Sequence, residues 1–291
     1  MKRILTILLT LCLTLTLLAS CKERQKVDLS GMSSIAALNG SGAKLAAQSG
    51  TFHLDALRGQ ITGVEIQEFE DFDTMLMALR SGTIDGYVAE EPTAVDACAK
   101  YSEIGYIKLR NNDTGFTVTG DDNGIAIGLK KGSELTEQIN RILSEQVTSE
   151  VQKALMEQMF AICASPETEQ NLSYALKSAN TDTSKGTLRV SMECGYRPFN
   201  WTQTTGANGA VAYGSGLYAN GYDVQIAKFI AAELGMKLEI VQYKFESMVN
   251  AVQSGAVDAI IAGMSPTAER LKQIDFTECY YKSELVILYK K

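Results

Sequence analysis

The chain has 291 residues, 45% of them hydrophobic and 21% charged, and it carries a net charge of −7. This is the composition of a globular protein that is long enough for two domains. The acidic balance and the lack of a basic block argue against nucleic-acid binding, so no nucleic-acid partner is expected.

The N-terminus has the pattern of an export signal. Lys2 and Arg3 precede an apolar run over residues 4–19, which is shorter than the ~20 residues of a membrane span. The run ends in Leu-Ala-Ser-Cys, which resembles a bacterial lipoprotein box; residues 1–20 are therefore predicted to be cleaved and Cys21 to be lipidated. The alternative is a plain secretory signal with an incidental cysteine. We expect an exported protein, lipid-anchored at the outer face of the cell membrane through a tether at residues 21–34.

A first α/β lobe is predicted at residues 35–125. Its predicted elements are a strand at residues 44–48, a helix that starts near Thr51, a helix over residues 72–79 and a strand at residues 84–89; a further strand is predicted at residues 124–129, across the boundary with the next lobe. Gly50 and Thr51 join the first strand to its helix, where free N–H groups form an anion site. A charged amphipathic helix is predicted next, over residues 133–160.

A second lobe is predicted at residues 126–291, with a linker at residues 161–187 that is rich in Pro, Asn, Ser and Thr. The predicted elements after the linker are strands at residues 188–192 and 237–243, a glycine-rich loop or hairpin at residues 205–221, a helix at residues 222–234 and a helix–strand unit at residues 245–262. Strands that alternate with helices predict an α/β fold with mainly parallel sheets.

One helix–turn–strand unit occurs in both predicted lobes. Residues 72–88 read FDTMLMALRSGTIDGYV, and residues 245–261 read FESMVNAVQSGAVDAII. Phe, Met, Ala, Ser, Gly and Asp recur at the same positions, and Gly82 or Gly255 is the predicted C-cap of the helix. The repeat predicts two similar lobes, each with exposed strand ends.

The second copy runs into a candidate binding site. Residues 259–262 predict a buried strand that stops at Gly263, and residues 265–267 supply an N-cap serine and a first-turn proline for a helix. Arg270 lies about one turn into that helix, so the helix N–H groups and the guanidinium together favour a carboxylate. The alternative is an ordinary strand–helix junction with a solvated arginine.

Cysteine and histidine residues do not form a metal-ligand or catalytic pattern. Beyond the signal and Cys21, the cysteines are Cys98, Cys163, Cys194 and Cys279; none makes a C-x-x-C pair, and export leaves three disulfide pairings open. His53 is the only histidine in the sequence. We therefore expect no metal, no cofactor and no catalytic residue.

Several blocks resemble the polar amino acid-binding proteins of ABC importers, solute-binding protein family 3, which have the two-lobed type II periplasmic-binding-protein fold. LRVSMECGYRPFNW, GYDVQIAKFIAAELG and IDFTECYY resemble the first lobe of that family, and KLAAQSGTFH, SGTIDGYVAEEP and GIAIGLKKGSELTEQIN resemble its second lobe. The blocks stand here in the opposite order, and residues 285–289 resemble the family's hinge strand. The resemblance therefore implies a circular permutation in which residues 161–187 join the family's usual ends. It also implies that the chain passes from one lobe to the other once, near residues 123–130. The C-terminal strand would reach the other lobe only by pairing with its strands.

The resemblance also implies a role for individual residues. Arg270, with backbone donors near Ser265 and Thr51, is expected to hold a ligand carboxylate, and Glu90 is expected to hold its ammonium group. Glu193 is expected to face the ligand side chain, which favours lysine or arginine, with glutamine or cystine as alternatives. The expected ligand-binding set is Glu193, Tyr196, Phe245, Ala262, Gly263, Ser265, Arg270, Thr51, Phe52, His53 and Glu90.

Aromatic residues are the expected walls of that site. Tyr196 and Phe245 would sandwich the ligand side chain, with Phe52 or Trp201 as further walls, and core packing is an equal alternative for Phe245. Ala262 and Gly263 stand where the family often has serine or threonine, so some side-chain hydrogen bonds are expected to be missing.

The resemblance implies that the lobes close on a free amino acid and that an ABC permease with its ATPase receives it from a monomeric binding protein. Two alternatives remain open. One is an enzyme like the periplasmic cyclohexadienyl or prephenate dehydratases, with Glu193 or Glu90 as general acid. The other is an amino acid sensor.

Overall fold

The computed structural model describes residues 25–119, 124–173 and 175–291. Its strands are β1 (Lys44–Gln48), β2 (Glu65–Phe69), β3 (Gly86–Glu90), β4 (Ile104–Ile107), β5 (Gly124–Leu129), β6 (Thr187–Met192), β7 (Gly195–Tyr196), β8 (Asn200–Gln203), β9 (Val211–Gly214), β10 (Leu217–Asn220), β11 (Lys237–Gln242), β12 (Ala259–Ile260), β13 (Asp275–Lys282) and β14 (Leu285–Lys290). Its α-helices are α1 (Phe52–Gln60), α2 (Phe72–Ser81), α3 (Glu91–Lys100), α4 (Leu135–Gln146), α5 (Ser149–Ala164), α6 (Tyr222–Glu233), α7 (Met248–Ser254) and α8 (Ala268–Leu271). The predicted signal at residues 1–20 and the predicted lipidation site at Cys21 lie outside the described residues.

Two five-stranded sheets of the same topology form the two lobes. The strand order is β2-β1-β3-β14-β4 in the first lobe and β11-β6-β12-β5-β13 in the second. In each sheet one strand, β14 or β5, runs antiparallel to both of its neighbours, and the other strands are parallel to one another. The prediction of an α/β fold with mainly parallel sheets is confirmed. A small antiparallel sheet, β7-β8-β10-β9, contains the predicted hairpin.

The C-terminal strand corrects the predicted lobe boundaries. β13 lies in the second sheet, whereas β14 begins after only Ser283 and Glu284 and lies in the first sheet, between β3 and β4. Residues 285–291 therefore do not belong to the lobe predicted at 126–291, and the chain crosses continuously at residues 283–284 rather than by strand pairing alone. The hydrophobic pattern identifies a strand, but it does not identify the partners of that strand.

The repeated unit has the predicted structure in both lobes. In the first lobe α2 ends at Gly82, which has φ +76°, and β3 follows; in the second lobe α7 ends at Gly255, which has φ +78°, and β12 follows. Both glycines adopt the left-handed conformation that terminates helices and that other residues rarely adopt. The repeat therefore places the carboxyl ends of β3 and β12 at equivalent positions in the two lobes.

Two predicted helices have different bounds in the structure. The helix predicted over residues 133–160 is two helices, α4 and α5, because Val147 leaves the helical conformation and the Thr148 hydroxyl caps α5 by accepting a hydrogen bond from the Val151 N–H group. Ser265 was expected to cap the helix that contains Arg270. The cap is instead Thr267, and α8 has only four residues.

Both predicted connecting segments pack against the lobes. In the predicted tether, Leu29 is 1% exposed and belongs to the hydrophobic core of the first lobe. In the predicted linker, the buried Asn208 side chain accepts a hydrogen bond from the Gln170 N–H group at 2.9 Å and donates one to the Thr168 carbonyl at 2.9 Å. These hydrogen bonds hold the start of the linker against the second lobe.

Candidate functional site

A small cleft lies between the two lobes. It is narrow and is lined from the first lobe by Gln48, Thr51, Phe52, His53 and Phe72, and from the second by Tyr196, Phe245, Gly263, Ser265 and Arg270. A larger cleft of about 700 Å³ lies beside the crossing, with Pro92, Phe160 and Tyr281 in its walls, but it contains none of the predicted site residues. The convergence of buried polar groups, rather than size, identifies the smaller cleft as the candidate site.

The ends of parallel strands position the polar groups of this cleft. Gln48 ends β1 and Glu90 ends β3 in the first lobe, while Glu193 directly follows β6 in the second. The carboxyl ends of parallel strands share one edge of a sheet, which is where α/β proteins bind ligands. The two sheets therefore point these side chains toward each other from opposite lobes.

Arg270 is the buried cation of the site. Its side chain is largely enclosed, its Nη1 donates to the Ser265 carbonyl at 2.7 Å, and its Nη2 donates across the cleft to the Gly50 carbonyl at 2.8 Å. Burial lowers the pKa of the guanidinium to about 10, and the nearby Asp55 carboxylate opposes that shift, so Arg270 is cationic in neutral solution. The two bonds use two of the five N–H groups of a guanidinium, so others remain for a ligand carboxylate.

Glu90 and His53 form a buried pair at the first-lobe side. The His53 Nε2 and Glu90 Oε1 atoms are 2.9 Å apart, and both side chains are buried. The other polar atom of each, His53 Nδ1 and Glu90 Oε2, is buried and has no hydrogen-bond partner among the described residues. Buried polar atoms are normally satisfied, so these two atoms indicate a site for a polar ligand or water.

Glu193 contacts the first lobe from the second lobe. Its Oε2 accepts a hydrogen bond from the Gln48 Nε2 at 2.6 Å, and its Oε1 is buried without a partner in the described part of the chain. Burial raises the pKa of Glu193 to about 8; the Gln48 hydrogen bond opposes this shift, and the Asp71 and Asp223 carboxylates add to it. The sequence analysis did not identify Gln48, although its place at the end of a strand, as for Glu90, was an available signal.

The aromatic residues pair differently from the expected sandwich. Tyr196 stacks on Phe72 of the first lobe, with ring centroids 4.1 Å apart and planes at 17°, and its hydroxyl is buried without a partner among the described residues. Phe245 belongs to a core cluster of the second lobe, and its ring also lies 5.2 Å from the Arg270 guanidinium carbon. Phe72 was predicted only as the apolar face of a helix. Trp201 is 1% exposed and does not line the cleft.

Gly263 is required at its position by both backbone and space. Its φ is +64°, and a Cβ atom there would lie 2.8 Å from the Tyr196 Cε1 atom. A serine or threonine would therefore be strained and would displace the Tyr196 ring. Ala262, which precedes it, is fully buried.

The two hydroxyl residues that are expected near a ligand carboxylate are both buried. Thr51 and Ser265 are 5% and 6% exposed. The Thr51 hydroxyl donates to the Gln48 carbonyl at 2.6 Å and accepts from the Leu54 N–H group at 3.4 Å, so it serves as the cap of α1. Phe52, the first residue of α1, lines the cleft beside it.

A buried acid behind Gly263 adds to the negative charge of the site. The Asp223 Oδ1 accepts from the Tyr280 hydroxyl at 2.7 Å, and Oδ2 accepts from the Asn200 Nδ2 at 2.8 Å. Burial raises the pKa of Asp223 to about 6, and the two hydrogen bonds oppose the shift. Sequence reasoning did not single out Asp223, which lies in an otherwise apolar helix.

The remaining features of the described residues concern metal ligands, cysteines and membrane spans. The described ranges contain no cluster of three or more residues of the types that ligate metals. Cys98, Cys163 and Cys194 carry free thiols. None of the helices in the described residues has the length and apolar character of a membrane span.

Comparison with known proteins gives matches to part of the chain. The family model of bacterial extracellular solute-binding proteins, family 3, matches residues 188–291. An arginine-binding extracellular protein, ArtP, from Bacillus subtilis is 33% identical over 119 residues, 40% of this chain and 42% of the relative. A probable histidine-binding protein from Campylobacter jejuni is 32% identical over 126 residues, 43% of this chain and 42% of the relative. The matches thus span about two fifths of the length of these relatives.

Among solved structures, an ancestral arginine-binding protein bound to arginine is 37% identical over 31% of this chain and 35% of its own, with a TM-score of 0.26.

Proposed function

We propose that the chain, whose residues 188–291 match the family model of bacterial extracellular solute-binding proteins, family 3, captures a polar amino acid in the cleft between its lobes. The observation that carries this proposal is the charge pattern of the buried site. Arg270 offers a cation for a carboxylate, and Glu90 offers an acceptor for an ammonium group. An amino acid zwitterion has these two groups, and it would satisfy atoms that are otherwise buried without partners.

The proposed ligand has a cationic side chain, as in arginine or lysine. Arg270 and Glu90 would hold the carboxylate and ammonium groups of the ligand. Glu193 adds a second carboxyl group, one oxygen of which has no partner among the described residues. Burial raises the pKa of Glu193 because it disfavours the charged carboxylate. A nearby cation, such as a ligand side chain, would stabilise that carboxylate. Glutamine and cystine are the alternative ligands, since their amide or ammonium donors also suit this oxygen.

The route of delivery is proposed from the family. The chain would be exported, held on the membrane by lipid at Cys21, and would present its closed, loaded form as a monomer to an ABC permease and its ATPase. Closure is supported by the contacts that each lobe makes with the other across the cleft, such as Arg270 with the Gly50 carbonyl.

We also propose that the chain is circularly permuted relative to its family. The two ends of the described chain support this proposal because they lie near the same turn. The Lys26 Nζ lies close to Gly82, and the Lys290 Nζ donates to the Arg80 carbonyl at 2.6 Å. Neighbouring ends are the condition under which chains tolerate permutation.

A ligand screen with a matched pair of arginine variants tests the binding function. Thermal unfolding with each of the twenty amino acids should identify a ligand that raises the Tm, followed by calorimetry. Arg270→Ala should weaken binding by well over tenfold, since a buried ionic hydrogen bond is lost. Arg189→Ala removes an arginine from β6 of the same lobe, where its guanidinium pairs with Asp258, and should leave the affinity unchanged. Near-normal binding by Arg270→Ala would refute the carboxylate assignment.

One observation favours a second candidate, a dehydratase-like enzyme. Glu193 is an enclosed carboxylic acid with a pKa of about 8, which would be protonated in neutral solution and suited to general acid catalysis. The test is to incubate the protein with prephenate and follow product formation. Turnover that is lost in Glu193→Gln would replace the binding proposal, and no turnover with tight amino acid binding would support it.

A further inference from the structure

His53 occupies part of the site that the proposed function assigns to the ligand's ammonium group. Its Nε2 lies 2.9 Å from Glu90 Oε1, and its ring lies 6.2 Å from the Phe72 ring in an edge-on arrangement inside the first-lobe wall. His53 is 5% exposed and Glu90 is 4% exposed. The imidazole is therefore a built component of the site rather than a surface residue of a loop.

Hydrogen-bond chemistry fixes what this imidazole does in its neutral form. A carboxylate only accepts hydrogen bonds, so the Nε2 atom carries the hydrogen in the pair with Glu90. Nδ1 then has a lone pair, and this atom is buried without a partner among the described residues. Neutral His53 thus orients Glu90, whose Oε2 has no partner among the described residues, and has a second acceptor at Nδ1 on the other side of the ring. Both acceptors suit an ammonium group.

Protonation reverses this role. An imidazolium carries hydrogens on both nitrogens, so Nδ1 becomes a donor and repels an ammonium group. The protonated ring also forms an ion pair with Glu90. It then provides the positive charge that the ligand's ammonium group would otherwise provide. The protonated ring and the ligand's ammonium therefore compete for one carboxylate.

The titratable groups of the elements around the pair are mainly acids, and Glu193 among them is protonated in neutral solution. They are Asp55 of α1, Asp71 and Asp73 at the start of α2, Glu90 at the end of β3, Glu91 of α3, Glu193 after β6, Asp223 of α6, Arg270 of α8, and Tyr280 and Tyr281 of β13. Most of these groups are acids, which favours a cation in the empty cleft. The ligand's ammonium and the His53 proton are the two cations that meet Glu90.

We propose that His53 is a positioning residue that makes amino acid capture proton-linked: the cleft takes its ligand when His53 is neutral, and binding in mildly acidic solution expels a proton from it. This inference rests on the proposed amino acid-binding function. Histidine is the side chain whose charge ordinarily changes between pH 5 and 8.

The test compares L-arginine binding by calorimetry in the full chain and in His53→Gln at pH 5.5 and pH 7.5. Glutamine keeps a donor for Glu90 but cannot become charged. The ratio of the Kd at pH 5.5 to the Kd at pH 7.5 should be about tenfold smaller in the variant. Glu193 is present in both proteins, so its own titration cancels in the comparison.

Proton release gives a second, independent readout. Titrations at pH 5.5 in two buffers with different ionisation enthalpies should show that the full chain releases close to one proton more per bound L-arginine than His53→Gln does. Equal ratios and equal proton release would overturn the role of His53 while leaving the binding function intact. If His53→Gln does not fold, His53→Asn provides the same comparison. L-glutamine is the second probe, and failure of every amino acid to bind the full chain would overturn both proposals.

Discussion

Phe72 and Tyr196 stack across the cleft, with ring centroids 4.1 Å apart, although they belong to different lobes. The stack continues into the second lobe, where the Tyr196 and Phe199 ring centroids are 5.0 Å apart. Offset stacking of this kind adds about 0.5–1.5 kcal/mol beyond burial. A contact of this size between the lobes favours the closed arrangement before any ligand is bound.

The first prediction concerns this stack. Phe72→Leu keeps most of the apolar volume but removes the ring, so it should lower the free energy of unfolding by about 1–2 kcal/mol and shift the empty protein toward an open form. Small-angle scattering should then show a larger radius of gyration. Phe116→Leu is the matched control, because Phe116 is fully buried in the first-lobe core away from the cleft. Phe116→Leu should lower the free energy of unfolding by a similar amount without changing the radius of gyration. Equal radii for the full chain and Phe72→Leu would contradict the closing role.

The second prediction separates two costs at Gly263. Gly263→Ala places a Cβ atom 2.8 Å from the Tyr196 ring in a residue with φ +64°, so backbone strain and steric overlap should together cost about 2–4 kcal/mol of unfolding free energy. Gly255→Ala is the control: its φ is +78° and a Cβ there meets no atom within 4 Å, so it should cost only the ~1–2 kcal/mol of backbone strain. Chemical denaturation of both variants measures the difference. Equal losses would show that the Tyr196 ring moves aside without cost.

The elements of the fold that could be predicted from the sequence are those whose sequence pattern lies within a short stretch of the chain. The α2–Gly82–β3 unit and its second copy were predicted because helix period, capping glycine and apolar strand all lie within about twenty residues. The resemblance predicted that the C-terminal strand pairs with the other lobe, but the position of β14 between β3 and β4 was not predicted, since those strands lie far away along the chain. Local pattern also hid Phe72, because a residue that faces a core and a residue that faces a cleft give the same helical periodicity.

Among the site residues, Glu90, Glu193 and Arg270 could be singled out because strand ends and a resemblance mark them. Gln48 could not be linked to Glu193, because their hydrogen bond joins residues 145 positions apart in the chain. The pairing of His53 with Glu90 likewise depends on how β3 and α1 pack together rather than on either sequence segment.

The third prediction is a pH dependence that belongs to Glu193. Its pKa is raised from 4.5 to about 8 in the folded chain, so between these values the folded protein binds more protons than the unfolded protein. The contribution of Glu193 to stability is therefore fully present below about pH 4.5 and is lost as the pH rises toward 8. Glu193→Gln removes this titration, and the wild-type chain should lose on the order of a few kcal/mol relative to the variant between pH 5 and pH 8. Denaturation curves at each pH, without ligand, measure it. A constant difference across this range would contradict the assignment.

The fourth prediction tests the permutation by reversing it. A chain opened within the exposed residues 181–184, with its old ends joined by a short Gly-Ser linker between Lys291 and Lys26, would run from residue 185 to 291 and then from 26 to about 181. Both old ends lie against the turn after α2, because the Lys26 side chain lies at Gly82 and the Lys290 side chain bonds the Arg80 carbonyl. The Gly-Ser linker therefore has only a short distance to span. The packed start of the natural linker, at residues 161–187, remains attached to α5.

The rearranged chain should unfold within a few degrees of the Tm of the natural order, since no strand pairing is lost and loop-closure terms change slowly with length. Its ligand affinity should stay within about threefold, because the Ser283–Glu284 crossing and the cleft are unchanged. The contrasting variant is deletion of residues 285–291, which removes the strand between β3 and β4 rather than a connection. That deletion should abolish cooperative unfolding of the first lobe, because Leu285 to Leu288 are at most 1% exposed and form its core. A rearranged chain that fails to fold would show that the two strand orders are not interchangeable.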